Sequence, residues 1–445
     1  MSDCSRLTGA SALRTLTDLA GASIAAGVIA RRRPVVGLLE RVQADNRAIR
    51  RMQQLRRRFG KGPVELVIPG RRIVVLLEPA DVGRVLAETP TPFHPASWEK
   101  RHALEKFQPH GVLISRGAVR AERRQLNEAA LDTEAPLHRL ADDFTNVIAE
   151  ETAILAEGAL DTGRLAAADF TRWWWAVIRR IVLGDAARND EDVTDDLWRL
   201  RQSANWSLLG LPHTRRRERF FDRLYSYAEA ADPHSLIGAL AQLPTHGSID
   251  PVGQVPHWLF AFDAAGMATL RAGAVLAARS EEQTRCETGD LEQVQLRPFL
   301  RACLLESVRL WPTTPAILRE LTEDTTFGDG ARFASGSSVL IVTPAFHRDA
   351  DLLPFADDFM PDIWLDGRAE QYPQLVPFSA GPAECPGRNL VLFVTSTVLA
   401  HLLTLMRLEL QSSPSLDPHR PLPVTLNQFG VAFRAVPATV AAQGR

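Results

Sequence analysis

The sequence predicts a mainly α protein with small β-sheets, folded as one large domain. Three observations carry that expectation. Apolar residues recur at helical spacing through most of the chain, clearly so over 135–243 and 250–280. Strand-type runs are few and short: VELVI and RRIVVL flank Pro69-Gly70, and SVLIV spans 338–342. Nothing among the 445 residues looks like a linker between domains. With 45% apolar and 23% charged residues, the composition is ordinary for a soluble globular protein. A formal net charge of −2 gives no whole-chain attraction to nucleic acid. Cys4, Cys286, Cys303 and Cys385 form no C-x-x-C pair, which argues against a zinc site or disulfide framework and suits a reducing cytoplasm.

Residues 1–33 read as an N-terminal leader. Its apolar run, Leu19 to Ala30, is shorter than the ~20 residues that cross a bilayer. Three arginines follow the run, whereas a secretory signal places positive charge first. Stable membrane insertion is therefore not expected. Pro34 to Phe59 reads as one helix stopped by Gly60 and Gly62. A hairpin around Pro69-Gly70 and a helix over Ala80–Glu88 follow. Thr89 to Ser115 is irregular, and Arg116 to Leu131 reads as an arginine-rich helix. Trp173, Trp174 and Trp175 read as core packing. A long helix is expected over Asp250–Ser280. Glu306 and Arg309 stand one turn apart on a helix that ends at Trp311-Pro312. Pro421 to Val436 reads as a β-hairpin with its turn at Asn427–Gly430.

The chemistry centres on VPFSAGPAECPGRNLVLFVTSTVLAHLL, residues 376–403. Cys385 lies in a Pro/Gly loop just before an apolar helix, where amide dipoles favour a thiolate. Gly381 and Gly387 allow close approach of something large and flat. Phe378, Gly381, Cys385 and Gly387 reproduce F-x-x-G-x-x-x-C-x-G, which resembles the haem-ligand loop of the cytochrome P450 superfamily. The resemblance covers residues 34–445. It implies the P450 fold, with haem b between the long central helix and the cysteine helix and Cys385 as axial ligand.

Two further motifs agree with it in order. AFDAAGMATLRAG places Ala261, Ala264, Ala265 and Thr269 on one helix face. It resembles the oxygen-activating segment [AG]-G-x-[DE]-T, with Gly266 and Thr269 in place and Ala268 at the acidic position. Asp263 does not substitute for that acid, because a five-residue offset turns it roughly 140° away. The E-x-x-R pair, Glu306 and Arg309, resembles the family's structural pair, but the downstream arginine that usually joins it is Ile363 here. The resemblance makes Arg124 and Arg319, with Arg120, clamps for the haem propionates. The remaining arginines of that helix would face outward as a docking patch for an acidic electron donor. It places Ala261, Ala264, Ala265, Ile317 and Phe429 in the substrate pocket, and Phe93, Trp98, Phe107 and Val112 in its roof. Trp206, Leu208 and Leu209 fall at a mobile entrance loop. The implied activity is a monomeric cytoplasmic monooxygenase. It would use O2 and electrons from ferredoxin and ferredoxin reductase to oxidise an apolar terpenoid- or polyketide-like metabolite of bacterial secondary metabolism. Ala268 keeps two alternatives open. One is non-standard haem-thiolate chemistry (peroxide use, NO reduction, rearrangement or coupling); the other is a non-catalytic haem or ligand-binding partner.

Overall fold

A computed structural model describes residues 5–206, 213–245, 249–288, 295–328, 330–412 and 416–438. Helices dominate, and the strands among the described residues form three small sheets. The largest sheet has six strands and includes the hairpin Val64–Ile68/Arg71–Val75, closed at Pro69-Gly70 with Ile68 opposite Arg71. Ser338–Val342 pairs with that hairpin on one side and with Ala316–Leu321 on the other.

Residues read as a leader join this sheet. Arg6–Thr8 pairs in parallel with Glu65–Val67, and the helix Gly9–Ala26 buries Ala12, Thr15, Leu19 and Ala26 against the body. The single helix expected over Pro34–Phe59 is two, Arg33–Arg41 and Asn46–Phe59, broken where Gln43 takes a positive φ of 46°. Thr89–Ser115 is more regular than expected, with a short strand Phe93–His94 and a helix Trp98–Leu104 capped by Ser97. The expected C-terminal hairpin is not formed. Ala432–Pro437 pairs instead with Met406–Leu410, directly after the cysteine helix, and Pro421 and Pro423 lie in the irregular stretch before it.

The central helix, Val255–Ala277, and the cysteine helix, Arg388–Leu405, are the two helices among the described residues long and apolar enough to cross a membrane. Both are mostly buried as core helices, in one apolar cluster with Trp173, Trp174 and Phe262. The central helix is also tied to Gly117–Ala130 by polar side chains. Trp258 Nε1 donates to Asn127 Oδ1 (2.7 Å), and Asn127 Nδ2 donates to Gln254 Oε1 (3.0 Å).

Glu306 and Arg309, on the helix Pro298–Leu310, are fully buried. A buried ion pair is tolerable only when its hydrogen-bonding capacity is used. Arg309 donates to both Glu306 oxygens (2.8 and 2.6 Å) and to the carbonyls of His347, Ala356, Phe355 and Asp358. Glu306 also accepts from Met360 N (2.8 Å) and Trp364 Nε1 (3.0 Å). These two donors take the place of the arginine that Ile363 lacks, and Ile363 itself packs with Leu353, Phe355 and Leu375. Arg309→Ala leaves a buried carboxylate with two donors, so it should cost about 3–5 kcal/mol in chemical denaturation. Trp364→Phe removes one donor and should cost about 1–3 kcal/mol.

Candidate functional site

The cysteine loop is held from both ends by its own backbone. Cys385 N donates to Phe378 O (3.0 Å), Glu384 N to Gly381 O (2.8 Å) and Arg388 N to Cys385 O (3.2 Å). Gly381 has φ +66°, and a Cβ there would run into the Leu86 carbonyl, so the loop seats on the helix Pro79–Ala87 only with glycine. Phe378 packs against the main core. Helix Gly117–Ala130 and the turn after it secure the outer side. Arg124 donates to Glu384 O (2.6 Å) and Thr133 Oγ1 to Pro386 O (2.8 Å). Asn389 Nδ2 donates to the carbonyls of Thr133 and Ala135 (both 3.0 Å). Cys385 is half-buried. Burial pushes its thiol up, while the Gly387 N–H and the charges of Arg124 and Arg388 oppose that shift.

The cations expected at a propionate clamp divide into two kinds. Arg124 is committed, pairing with Glu128 as well as with Glu384 O. Arg319 is 2% exposed and meets only neutral oxygens: Thr89 Oγ1 (3.3 Å), Leu318 O (3.0 Å) and Ser379 Oγ (3.3 Å). Burial and the charge of Arg120 push the Arg319 pKa down to about 10. Arg120 is lowered by burial and then by Arg124. Among the described residues neither Arg120 nor Arg319 makes an ion pair, so this corner beside the cysteine loop carries unbalanced positive charge. Arg116 and Arg123, expected to face outward, both have partners within the chain. Arg116 pairs with Glu320, and Arg123 donates to Ser115 Oγ (2.7 Å).

The central helix presents one face with accessible surface. His257, Phe260, Ala261, Ala264 and Met267 are half-buried at i, i+3, i+4, i+7 and i+10, within a helix otherwise largely buried. Ala265, Ala268 and Thr269 are buried along the edge of that face, and Thr269 Oγ1 donates to Ala265 O (2.9 Å). Asp263 is tied to Arg201 (2.6 Å), in accord with its pointing away. Gly266 belongs to the opposite face. A Cβ there would meet Trp174 Nε1 at 2.7 Å, and that indole donates to Phe262 O (2.9 Å). Gly266 is thus a position of close packing against Trp174.

Other pocket candidates separate similarly. Ile317 packs in the second core cluster, on the strand face it shares with Arg319. Phe429 is covered by the Arg33 guanidinium, 5.2 Å from its centroid. Phe93 packs on Phe327 (5.9 Å), Phe107 on Phe260 (5.6 Å), Trp98 lies under Arg71 (4.7 Å), and Val112 is buried. Trp206 is 57% exposed under Arg32, while Leu208 and Leu209 lie outside the described residues.

Two residues were missed by the sequence reading. Lys100 Nζ donates to Pro95 O (3.1 Å) and Leu318 O (3.0 Å) inside the protein. His257 begins the accessible stripe. Only the i−4 spacing of His257 from Ala261 signalled either of them.

Comparison with known proteins agrees with this geometry. A family model described as Cytochrome P450 matches residues 277–431, spanning Glu306, Arg309 and Cys385. The fold is similar to a retinoic-acid-bound cyanobacterial CYP120A1, with TM-score 0.69 and 19% identity, over 86% of this chain and 93% of that one. It is also similar to CYP102L1, with TM-score 0.68 and 18% identity, over 87% and 94% of the two chains. The fold is that of cytochrome P450 structures, and the C-terminal third of the chain matches the P450 family model. Curated P450 relatives include Cytochrome P450 4A24 of Sus scrofa, 29% identical over 34% of this chain and 32% of the relative. Taurochenodeoxycholic 6 alpha-hydroxylase of Sus scrofa is 30% identical over 32% and 30% of the two chains. The matched stretch thus spans about a third of those relatives' length.

P450 proteins bind haem b. The residues here fit that group: Cys385 would supply the sulfur ligand, and Arg120 and Arg319, which form no ion pair among the described residues, would suit its acidic edge. Gly266→Ala should destabilise the protein by about 1–3 kcal/mol through overpacking against Trp174, read as a lowered unfolding midpoint with haem content per folded molecule unchanged.

Proposed function

We propose that this P450 is a haem-thiolate monooxygenase. Its substrate is an apolar small molecule, a terpenoid- or polyketide-like metabolite, and its electrons come from a ferredoxin-type donor. The reading places the protein in the cytoplasm as a monomer, with the strand and helix over 6–26 folded into the same domain as residues 34–445. One observation carries it. Cys385 stands on a hydrogen-bonded loop beside two cations, Arg120 and Arg319, that form no ion pair among the described residues. The haem, when bound, supplies dioxygen reduction and oxygen insertion.

The chain's own residues provide the setting. Ala261 and Ala264 leave room along the accessible stripe and keep it apolar. A retinoic-acid-bound structural neighbour and a relative named for acting on taurochenodeoxycholic acid support a sizeable apolar skeleton. Thr269 points its hydroxyl proton at Ala265 O, which leaves oxygen lone pairs to accept from water. Ala268 brings no acid, and Asp263 is held by Arg201. Protons must then come from water, from the substrate or from elsewhere. That scarcity favours one second reading, a peroxide-using enzyme in which proton-coupled reduction of dioxygen is bypassed.

Cys385→Ser should abolish the thiolate-type Soret band of the carbon monoxide complex. Restoring the acid with Ala268→Asp should raise ferredoxin-driven turnover about tenfold or more, within the range for a positioned proton donor. Peroxide-driven turnover should stay within a factor of about two, on the same reasoning. Unchanged ferredoxin-driven turnover together with efficient peroxide-driven turnover would select the second reading.

A further inference from the structure

The accessible stripe of the central helix is apolar at Phe260, Ala261 and Ala264, but it begins with a histidine. His257 is half-buried, and its ring packs edge-on to Phe260 at 5.9 Å. Its Nδ1 is buried with no hydrogen-bond partner among the described residues. A buried unpaired polar atom is costly, and such atoms mark places where something else binds. Lys100 lies close enough for its charge to act on His257. Its ammonium has three N–H groups, and the two carbonyls of Pro95 and Leu318 account for two. Of the carboxylates nearby, Glu320 takes Arg116 and the Trp98 amide, and Glu99 Oε1 takes Arg71 and Ser338, while Glu99 Oε2 is buried without a hydrogen-bond partner and its charge acts on Lys100.

We propose that His257 and Lys100 form the polar end of the substrate cleft. There they hold the carboxylate of an amphipathic acid, whose apolar chain runs along Ala261 and Ala264 toward Thr269. This rests on the haem-thiolate reading and narrows its substrate class. Seven residues separate His257 from Ala264, a rise of about 10 Å along the helix. The oxidised carbon is therefore remote from the acid group, which suits a fatty-acid-length or polycyclic acid over a short one. The charge balance points the same way. Burial and then Lys100 push the His257 pKa down to about 4. Burial, followed by Arg319, holds Lys100 well below its usual value. A carboxylate between the two groups would relieve both, whereas a neutral ligand would relieve neither.

The test uses the haem-loaded protein and a series of straight-chain fatty acids with their methyl esters. Binding is read by the Soret shift and, independently, by equilibrium dialysis. Acids should bind at least tenfold tighter than esters of equal length. His257→Phe and Lys100→Met should each reduce acid affinity to that of the ester and leave ester affinity unchanged. Equal affinity for acid and ester in the unaltered protein would overturn the proposal, as would an acid preference that survives His257→Phe. Should Lys100→Met fail to fold, His257→Phe decides alone. If Lys100→Met sheds haem while keeping the acid preference, Lys100 serves the cofactor and the two-residue site is refuted. Absence of a Soret band would sink the haem-thiolate reading instead, and dialysis would still score the acid preference.

Discussion

The fully buried Glu306–Arg309 pair is the constraint on which the cysteine loop depends. Two charges away from water are stable only if every donor and acceptor is used, and the chain between residues 343 and 364 is shaped to do that. His347 passes the constraint onward. Its carbonyl accepts from Arg309, while its ring Nε2 accepts from Val376 N (3.1 Å), at the entry to the cysteine loop. Burial, with Arg309 nearby, drops the His347 pKa to about 3, so the ring stays a neutral acceptor. From Val376 two residues lead to Phe378, whose carbonyl fixes the Cys385 amide. A scaffold ion pair and the Cys385 loop are thus linked through hydrogen bonds that leave little slack.

The contrast between Arg309 and Arg319 supports the proposed place of the cofactor. Both guanidinium groups are buried. One is neutralised by a carboxylate, while the other faces hydroxyl and carbonyl oxygens next to a second cation. A folded chain tolerates such an imbalance where a ligand supplies the missing charge. The same argument separates Arg124, which helps hold the loop, from Arg120, which is left for the ligand.

Much of this was legible in the sequence because it rests on local spacing. The hairpin at Pro69-Gly70, the central and cysteine helices and the E-x-x-R turn are set by periodicity and turn residues within a few positions. What escaped depends on which distant segments meet. The strand Ala432–Pro437 chose Met406–Leu410 over a nearer partner, and one helix became two at Gln43. The Trp364 indole took an arginine's place in a way no spacing encodes. Gly266 matched a motif by type, yet its missing Cβ serves Trp174, a helix more than eighty residues earlier. Lys100 was hidden because a lysine is exposed by default.

The central helix shows how one element meets two opposite demands. On one face Gly266 lets Trp174 approach, which fixes the helix against the body. On the other, small side chains hold the helix back from its neighbours and leave room for a ligand. Ala268 belongs to this second face, so losing the acid enlarges an apolar surface at the point where proton supply would be needed. Polarity is displaced instead to the start of the helix, at His257, and the helix then orders the cleft from polar entry to apolar reaction end. An acid anchored at that entry presents a carbon far from its charge, and the absence of charge beside Thr269 becomes a condition for binding the chain there.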